Sequence, residues 1–557
     1  MSGLVAAHGP FDPRMGMRML ERLTHRGPDG AGHQQLEGAW LGSRFLSIVD
    51  PESGDQPVSG GANRDVWVVG DGMIHNYRRI RDRLGADRFR TASDLEAAAV
   101  LFDDEGPLAF EKLWGPFAIV VADARGRFAA SRDVLGLAPM YWVRQDDTVL
   151  FASEMTAFDT ELRPHIEPFP PGHVWTPAGG LEPIREFPGA TPVLLQSRAP
   201  YEDPPAWVFD AVRESLVRAT ERCMVGRMPI GVLLSGGVDS SIITAIAARR
   251  SAADGRTLKT FAVGLEGSGD LDAARLVAEH WGTDHRELVY TAEDAIDAVP
   301  RVVARLESFD PTLVHSAVPN FFVSRLAARH AKVVLVGEGA DELFAGYTHY
   351  GAITEGEALH SELLETLKGM HIGGLQRVDR VAGALGVEPR LPFLDLDVVE
   401  LAMALPPEWK LVAEDRPAKW LLRRAFDGWL PDEVLWRRKE QFGEGTGMND
   451  VLREHFEATV TEAELAAEAR VVDPPLRTRE ELAYHRLFAS ALHGVDAQAT
   501  VGRFAQACPG SRGLGLRGPH RCRTGSVRGG SVRGRKTPAA GSKAQPPDRS
   551  RNDGSGG

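Results

Sequence analysis

Cysteine is scarce in this chain of 557 residues, which contains only Cys223, Cys508 and Cys522 and none near its N-terminus. These cysteines form no Cys-x-x-Cys pair and no zinc-ligand spacing, which excludes a disulfide scaffold and favours a reducing compartment. Nowhere do about 18 apolar residues follow one another, so we expect no membrane-spanning helix. The first residues also lack the basic and apolar regions of a signal peptide, and we therefore expect a cytoplasmic protein.

Positive charge is in deficit. The chain has 64 Lys and Arg against 77 Asp and Glu, which gives a net charge of −13 and argues against nucleic acid as the main ligand. The rest of the composition is that of a folded protein, with 43% hydrophobic and 25% charged residues. At roughly 100–200 residues per domain, the length predicts more than one domain.

The pattern of hydrophobic residues divides the chain into three parts. Residues 1–190 contain short β-rich runs separated by Gly, Pro and Asp, which predict a sheet-dominated domain. After a Pro-rich stretch, residues 206–507 alternate apolar runs with helical periodicities, which predicts a parallel sheet wrapped by helices. Residues 509–557 consist mainly of Gly, Ser, Pro and Arg, so we expect a disordered basic tail.

The strongest motif is the segment 233–241, Leu-Leu-Ser-Gly-Gly-Val-Asp-Ser-Ser, between an apolar run and a helical one. Its glycines let an anion approach the backbone, the helix N-terminus offers N–H groups, and the hydroxyls of Ser235 and Ser240 add donors. The motif lacks the Lys of a Walker A loop and the GxGxxG of a dinucleotide fold. Asp239 beside a bound phosphate implies a bridging Mg²⁺. The alternative is a plain strand-to-helix turn capped by Ser235.

A second cluster, residues 333–342, ends an apolar run with two glycines among the carboxylates Glu338, Asp341 and Glu342. Ligands of open parallel sheets collect beyond the carboxyl ends of the strands, so we expect both loops to face one crevice. Three buried acids are costly unless they are paired, which favours Mg²⁺ or a substrate amine over a solvated loop.

A cation in the crevice would complete this set, because it would stabilise negative charge that develops on a phosphate. The candidates are Lys419 and the run Arg437, Arg438 and Lys439. We assign the role to Lys439, since aromatic and Gly-rich sequence follows it. Arg437 and Arg438 are interpreted as part of a solvated helix face.

The segments SGGVDSS, FAVGL, LVGEGADELFAGY, GVEPRLPFLD and RRKEQFGEGTG occur in this order, and together they resemble the synthetase domain of glutamine-dependent asparagine synthetases of the bacterial B type. HRGPDG at 25–30 and GPFAIVVAD at 115–123 resemble the class II glutaminase domain of that family. The resemblance covers residues 1 to about 505. It implies an α+β Ntn-type glutaminase-like sandwich domain followed by an α/β parallel-sheet ATP-pyrophosphatase domain.

The resemblance also implies a reaction. ATP adenylates the side-chain carboxylate of aspartate, pyrophosphate leaves, and ammonia displaces AMP to give asparagine. The implied ATP-binding residues are Leu234, Ser235, Gly236, Gly237, Asp239, Ser240, Val263, Val336 and Gly337. Leu234 and Val263 would flank the adenine, whereas the Ser and Gly residues of the first loop would hold the pyrophosphate.

The implied catalytic residues are Glu338, Asp341 and Lys439. The two acids would serve the aspartyl-adenylate step, and Lys439 would neutralise the transition state. Asp239 and Asp341 would hold Mg²⁺. The implied partners are small molecules, namely aspartate or a related acid, ammonia and glutamine, and a homodimer is left open.

The chain departs from the family at the glutaminase nucleophile. Family members begin Met-Cys, and the exposed Cys attacks glutamine, whereas position 2 here is Ser2, whose hydroxyl is a much weaker nucleophile than a thiolate. Asp71-Gly72-Met73 stands where the family has Asn-Gly-Glu. An ionised Asp71 accepts hydrogen bonds and repels an oxyanion, whereas the Asn amide donates to it.

Contacts to the glutamine substrate also change. Phe45 stands where the family has the Arg that clamps the glutamine carboxylate, and Arg44 lies one place early. On a strand, such a slip points the side chain to the opposite face. Asp94 is the one expected glutamine contact that remains. The remnants of the glutaminase site are thus Ser2, Asp71, Gly72 and Asp94.

We therefore predict that the first domain keeps its fold but is inactive, and that the enzyme uses free ammonia. The alternative is that Ser2 replaces Cys conservatively and some hydrolysis of glutamine survives. Two other functions compete: a β-lactam synthetase-like enzyme that acts on another carboxylic acid, and a non-catalytic scaffold. The intact SGGVDSS and GEGADE segments argue against a scaffold.

Overall fold

The computed structural model describes residues 1–52, 54–189, 203–437 and 448–504. The tail predicted at 509–557 lies outside these residues, as do Arg438, Lys439 and most of the predicted linker between 190 and 206. Within the described ranges, no helix combines the length and the apolar character that crossing a membrane requires.

The N-terminal half contains two six-stranded antiparallel sheets, with the strand orders β10-β8-β9-β1-β3-β2 and β12-β11-β7-β6-β5-β4. Their strands are β1 (Ser2–His8), β2 (Gly30–Leu36), β3 (Ala39–Phe45), β4 (Val58–Gly60), β5 (Val66–Gly72), β6 (Phe117–Asp123), β7 (Phe128–Arg132), β8 (Tyr141–Gln145), β9 (Thr148–Ala152), β10 (Glu167–Pro168), β11 (His173–Thr176) and β12 (Gly180–Pro183). The helices of this half are α1 (Pro13–Glu21), α2 (Tyr77–Leu84) and α3 (Leu95–Glu105).

Strand β1 is buried on both faces, because side chains alternate along a strand and both sides of its sheet are covered. Leu4 and Ala6 share one apolar cluster with side chains of the second sheet. The alternate residues Val5 and Ala7 belong to another cluster, which includes Met19 of α1. The two sheets therefore form a sandwich, and the N-terminal residues of the chain lie inside it.

The C-terminal half is built around a five-stranded parallel sheet of order β15-β14-β13-β16-β17. Its strands are β13 (Ile230–Leu233), β14 (Lys259–Gly264), β15 (Asp284–Val289), β16 (Val333–Leu335) and β17 (Glu388–Arg390). The chain runs from β13 outward to β14 and β15, and then returns to place β16 on the other side of β13. This reversal puts a topological switch point between β13 and β16, where open parallel sheets bind ligands.

Helices cover this sheet and extend beyond it. They are α4 (Ala206–Cys223), α5 (Val238–Ala253), α6 (Gly269–Trp281), α7 (Ala292–Leu306), α8 (Pro311–Ala327), α9 (Ala340–Leu343), α10 (Gly356–Gly369), α11 (Gly374–Gly383), α12 (Leu396–Ala404), α13 (Trp420–Ala425), α14 (Asp432–Leu435), α15 (Met448–Ala458), α16 (Glu462–Glu468), α17 (Arg479–Ala491) and α18 (Ala497–Thr500). Local signals set several boundaries: Thr291 and Asp294 form a capping box at the start of α7, and Gly282 ends α6 in a left-handed conformation.

The predicted fold class is confirmed for the two folded parts, with antiparallel sheets first and a parallel sheet second. The sequence did not predict β17. That strand has only three residues and contains Pro389, so it gives no apolar run. It lies at the edge of the sheet, where a proline is tolerated.

Candidate active site

The first loop of the site connects β13 to α5. The N–H of Leu234 donates to the carbonyl of Phe261 at 2.8 Å, and the next three residues turn the chain into the helix. Gly236 has φ +75°, and a Cβ on it would lie 2.7 Å from Cβ of Ala273, so only glycine fits there. The turn leaves the N–H groups of the first helical residues, which have no partner within the helix, at the switch point.

Serine hydroxyls hold this loop in shape. Ser235 Oγ lies 3.1 Å from Ser240 Oγ, and Ser240 Oγ donates to the carbonyl of Gly237 at 3.2 Å. Ser241 Oγ donates to the same carbonyl at 2.7 Å. The loop is therefore preformed, with hydroxyls and backbone N–H groups gathered at one helix N-terminus, as an anion-binding site requires.

The second loop follows β16, the neighbouring strand. The N–H of Val336 donates to the carbonyl of Arg390 at 3.0 Å, and α9 begins at Ala340. A Cβ on Gly337 would lie 3.0 Å from Cβ of Asp239, which shows that the two loops are in direct contact. The structure thus brings together the two motifs that were expected to face one crevice.

Lys419 lies between these loops. Its Nζ donates to Asp239 Oδ2 at 2.5 Å and lies 2.7 Å from Asp341 Oδ1, and its side chain is only 1% exposed. Burial lowers the pKa of Lys419, but the two carboxylates raise it more, so its pKa lies above the usual value. Lys419 is therefore a charged group in the crevice.

The sequence pattern offers Lys419 as a candidate but favours Lys439 for the cationic role, and Lys439 lies outside the described residues. The segment AKWLLRR resembles an ordinary helix, on which a lysine faces solvent. Lys419 instead caps α13 with a left-handed backbone, φ +61°. Arg437 is not part of a solvated face as predicted, because it is half-buried and its Nη2 lies 3.0 Å from Asp270 Oδ1.

Asp239 keeps one oxygen for another ligand. Its Oδ1 is buried and has no hydrogen-bond partner among the residues that the structure describes. Mg²⁺ is commonly held by one or two carboxylates together with phosphate oxygens, so the pair Asp239 and Asp341 fits this ion when a nucleotide supplies the remaining ligands. The described residues contain no group of three or more acidic, His or Cys side chains that could hold a metal alone.

Glu338 has a partner that the sequence did not reveal. Arg377 Nη2 of α11 donates to Glu338 Oε1 at 2.9 Å, and both side chains are largely buried. Arg377 occurs in the run LQRVDR of an amphipathic helix, which gives no signal that one of its arginines faces the crevice. Leu234, Val263 and Val336 are buried at the carboxyl ends of three adjacent strands.

The predicted glutaminase site lies in the N-terminal half, at the start of β1. Ser2 is buried, and its Oγ accepts from Gln56 Nε2 at 3.3 Å. Phe45 is its direct partner across the β1–β3 pair, so the two side chains share one face. Arg44, one place earlier, pairs instead with Glu21 at the surface.

Both carboxylate oxygens of Asp71 accept hydrogen bonds. Its Oδ1 accepts from the N–H of Ser2 at 2.6 Å, and its Oδ2 accepts from Arg26 Nη2 at 2.6 Å. Burial raises the pKa of Asp71, although the charge of Arg26 opposes the rise. Gly72, with φ +105°, follows it in a backbone conformation that side chains rarely adopt.

Asp94 is also buried, and its carboxylate is hydrogen-bonded to the backbone. Its Oδ2 accepts from the N–H of Ile74 at 2.7 Å, and burial raises its pKa. The four predicted remnants thus lie in one half of the molecule, around the start of β1, the end of β5 and the start of α3. The predicted synthetase residues lie in the other half, around β13, β14 and β16.

This combination of fold and site defines a class: an antiparallel sandwich of the glutamine amidotransferase kind, joined to a parallel-sheet ligase domain with a Ser- and Gly-rich loop at its switch point. The family models agree. The model described as "Glutamine amidotransferase domain" matches residues 1–169, and the model described as "Asparagine synthase" matches residues 211–356 and 351–494. The chain belongs to the asparagine synthetase family, whose members are ATP-dependent ligases that form asparagine.

Similar proteins cover almost the whole chain. "Asparagine synthetase [glutamine-hydrolyzing] 3" of Arabidopsis thaliana is 37% identical over 90% of this chain and 89% of its own length. "Asparagine synthetase [glutamine-hydrolyzing] 2" of the same plant is 36% identical over 90% and 89%. The asparagine synthetase of Sandersonia aurantiaca is 36% identical over 87% of this chain and 95% of its own length.

Proposed function

We propose that this chain makes asparagine from aspartate and ATP with free ammonia, and not glutamine, as its nitrogen donor. The observation that carries the proposal is the position of Asp71. A carboxylate that is bound to Arg26 and to the Ser2 N–H replaces the amide that would donate to the oxyanion of glutamine hydrolysis. Loss of one such donor typically lowers the rate ~10²–10³-fold, and a repelling carboxylate is worse.

Two further features support loss of glutamine use. Phe45 fills the face beside Ser2, where the family has the arginine that binds the carboxylate of glutamine. Arg44 does not replace that arginine, because it is paired with Glu21 on the other side of the strand. A glutamine that entered this pocket would therefore find neither its carboxylate partner nor an activated nucleophile.

In the synthetase half, the preformed loop after β13 would bind the pyrophosphate part of ATP. Gly236 and Gly237 let the phosphates approach the backbone, and Ser235 and Ser240 add hydroxyl donors. Mg²⁺ bound by Asp239 and Asp341 would neutralise phosphate charge. Leu234, Val263, Val336 and Gly337 are proposed to hold the rest of the nucleotide.

Lys419 is proposed to stabilise the charge that develops when the aspartate carboxylate attacks the α-phosphorus and pyrophosphate leaves. Its buried, charged ammonium already faces the phosphate loop, so no reorganisation is needed at the moment of reaction. Lys439 keeps the same proposed role from the resemblance. Glu338 is proposed to take up a proton when ammonia attacks the acyl carbon and AMP leaves.

Aspartate is the proposed acceptor acid because three relatives that span at least 87% of this chain are named asparagine synthetases. The measurement is pyrophosphate release with ATP and a panel of carboxylic acids, each with and without ammonium. We expect release over many turnovers only when aspartate and ammonium are both present, because without ammonium the aspartyl-adenylate stays bound and release stops after one turnover. Equal release with another acid in place of aspartate would contradict the substrate assignment.

The nitrogen donor is tested by comparing glutamine with ammonium in steady state. We expect asparagine formation with ammonium, and no glutamate release above the uncatalysed rate with glutamine. Ser2→Cys alone is expected not to restore glutamine hydrolysis, because Asp71 and Phe45 remain. Rapid glutamate release by the unmodified protein would overturn the proposal of ammonia dependence, while leaving the synthetase assignment intact.

A further inference from the structure

Arg26 of the N-terminal half is fully enclosed and fully bonded. Its side chain is 0% exposed, and each of its five N–H groups has an acceptor. Nε donates to the carbonyl of Ser2, and the terminal nitrogens donate to Asp71, Glu154 and twice to Asp379, all at 2.6 to 3.0 Å. Asp71 and Glu154 belong to the N-terminal half, whereas Asp379 belongs to α11 of the C-terminal half.

Helix α11 connects this cluster to the synthetase crevice. Residues 377 and 379 lie about 200° apart around a helix of 3.6 residues per turn, so they point in nearly opposite directions. Asp379 accepts two hydrogen bonds from Arg26, while Arg377 donates to Glu338 at 2.9 Å. One short helix thus has the proposed catalytic Glu338 on one side and the N-terminal half on the other.

The approach between α11 and Arg26 is close. A Cβ on Gly383 would lie 3.3 Å from Arg26 Nη1 and 2.5 Å from Sδ of Met1, so a larger residue at the end of this helix would force these side chains to move. The residue that follows Asp379 makes a second link between the halves. Arg380 is 1% exposed and lies 3.1 Å from Asp379 and 3.4 Å from Glu307, and Glu307 accepts from the N–H of Met155 in the N-terminal half at 3.0 Å.

We propose that Arg26 is a positioning residue for the synthetase reaction: by binding Asp379 it fixes α11, and α11 in turn holds Arg377 against Glu338. The N-terminal half therefore contributes to amide formation without performing chemistry of its own. This inference rests on the proposed function, since Glu338 must act in the ammonia-dependent reaction. We expect a displaced α11 to slow amide formation, because a misplacement of about 1 Å in a catalytic group can lower a rate about 10²-fold.

The variant Asp379→Asn tests this chain of contacts, because it keeps the size of the side chain but removes its charge. We expect kcat for ammonia-dependent asparagine formation to fall at least about tenfold. The KM for ATP is expected to stay the same, because the phosphate loop belongs to β13 and α5 and not to α11. The matched control is His75→Gln, which breaks a buried bond of 3.2 Å between the halves, from His75 Nδ1 to Asp395 Oδ2, that does not involve α11.

A double-mutant cycle separates positioning from general stability. Arg377→Lys combined with Asp379→Asn is expected to lower kcat by much less than the product of the single effects, since both changes act on one contact. Arg377→Lys combined with His75→Gln is expected to be multiplicative. If Asp379→Asn fails to fold, Arg26→Lys takes its place with the same expectations.

The outcomes are distinct. An unchanged kcat in folded Asp379→Asn, or equal losses in Asp379→Asn and His75→Gln, would overturn the positioning role of Arg26. A multiplicative cycle for Arg377 and Asp379 would overturn it as well. Absence of ammonia-dependent pyrophosphate release in the unmodified protein would instead contradict the proposed function.

Discussion

At the scale of single residues, Lys419 shows how burial and charge combine. One ammonium lies between two carboxylates, Asp239 and Asp341, in a place that solvent hardly reaches. A buried charge is tolerated only when it is paired and hydrogen-bonded. The three groups therefore depend on one another. Removal of one leaves a buried charge without its partner, and the desolvation of that charge is then no longer offset.

Lys419→Met is expected to abolish activity and to lower the free energy of unfolding by about 3–5 kcal/mol, because it leaves two neighbouring carboxylates without their cation. Urea unfolding and pyrophosphate release measure the two effects. Lys332→Met is the control, since Lys332 pairs with Asp29 at 2.6 Å where both side chains are part-exposed. It should cost less than about 1 kcal/mol. Equal stability of the two variants would contradict this account.

Lys410 gives a prediction about pH. Its Nζ donates to the carbonyl of Ala402 inside the C-terminal half, and burial lowers its pKa to about 7, below the ordinary value of about 10.4. Between these values the unfolded chain binds more protons than the folded one, so stability contributed at this site rises with pH. Below about pH 7 the folded protein bears the full cost of a buried charge.

Lys410→Met should therefore be more stable than the unmodified protein at pH 6, by up to about 4 kcal/mol, and this advantage should shrink as the pH approaches 10. Thermal unfolding at several pH values measures it. Lys368→Met, which changes an exposed lysine on α10, should show no such trend. A constant difference across the pH range would show that Lys410 is not titrating.

The sequence could predict which residue types the crevice needs, but not always which residue supplies them. The acids and the Ser-Gly loop lie next to apolar strands, so local pattern was enough to find them. Lys419 and Arg377 come from helices distant in sequence, and nothing in AKWLLRR or LQRVDR distinguishes the side chain that faces inward. Tertiary packing decides that choice.

At the scale of elements, the loop between β13 and α5 depends on one glycine. Gly236→Ala places a Cβ within 2.8 Å of the carbonyl of Asp270 at φ +75°, so the loop must move. We expect pyrophosphate release to fall at least about 10²-fold. Gly255→Ala is a matched control, because Gly255 has φ +68° with nothing near its Cβ. It should cost about 1–2 kcal/mol through backbone strain without loss of activity, as unfolding and turnover assays would show.

The sequence predicts the position of a strand wherever a run of apolar residues is long enough to show a periodicity. VWVVGDG at 66–72 and FAIVVAD at 117–123 are β5 and β6 over the same residues. Strand β17 was missed because three residues that include a proline have no periodicity to detect. It nevertheless matters, since the carbonyl of Arg390 receives the N–H of Val336 and so fixes the start of the acidic loop.

At the scale of the whole molecule, ion pairs join the two halves. Asp395 starts α12 and accepts from Arg222 Nη2 at 2.6 Å, and it also faces His75 of the N-terminal half at 3.2 Å. Burial raises the pKa of Asp395, but His75 and Arg222 lower it more, to about 2. Its contribution to stability is therefore present above the unfolded value of about 3.9 and is lost as the pH falls toward 2.

Asp395→Asn should remove about 2 kcal/mol of stability at pH 6 and little at pH 2, so that the two proteins converge in acid. Denaturant unfolding between pH 6 and pH 2 measures the convergence. Glu365→Gln on the surface of α10 is the control and should leave the pH dependence unchanged. A parallel decline of Asp395→Asn and the unmodified protein would show that this carboxylate is not responsible.

The sequence could predict the two folded parts but not how they meet. Arg26 belongs to HRGPDG, a segment that resembles the glutaminase domain, whereas its partner Asp379 lies 353 positions away. A pair of residues so far apart in the sequence cannot be recognised from the local sequence pattern around either of them. The predicted loss of glutamine use rested on residues around Ser2, and the same region contains Arg26, which binds Asp379 of α11.

The enclosure of Arg26 has an evolutionary consequence. If the N-terminal half has lost its reaction, selection for glutamine chemistry no longer acts on Ser2, Gly72 or Asp94, and only their packing and backbone roles retain them. Arg26 is different, because deletion of the half would remove one of the two buried cations that pair with Asp379 and would expose this side of α11. Because the synthetase half depends on this contact, we expect descendants of this protein to retain the N-terminal sandwich as a structural support, even after glutamine hydrolysis has been lost.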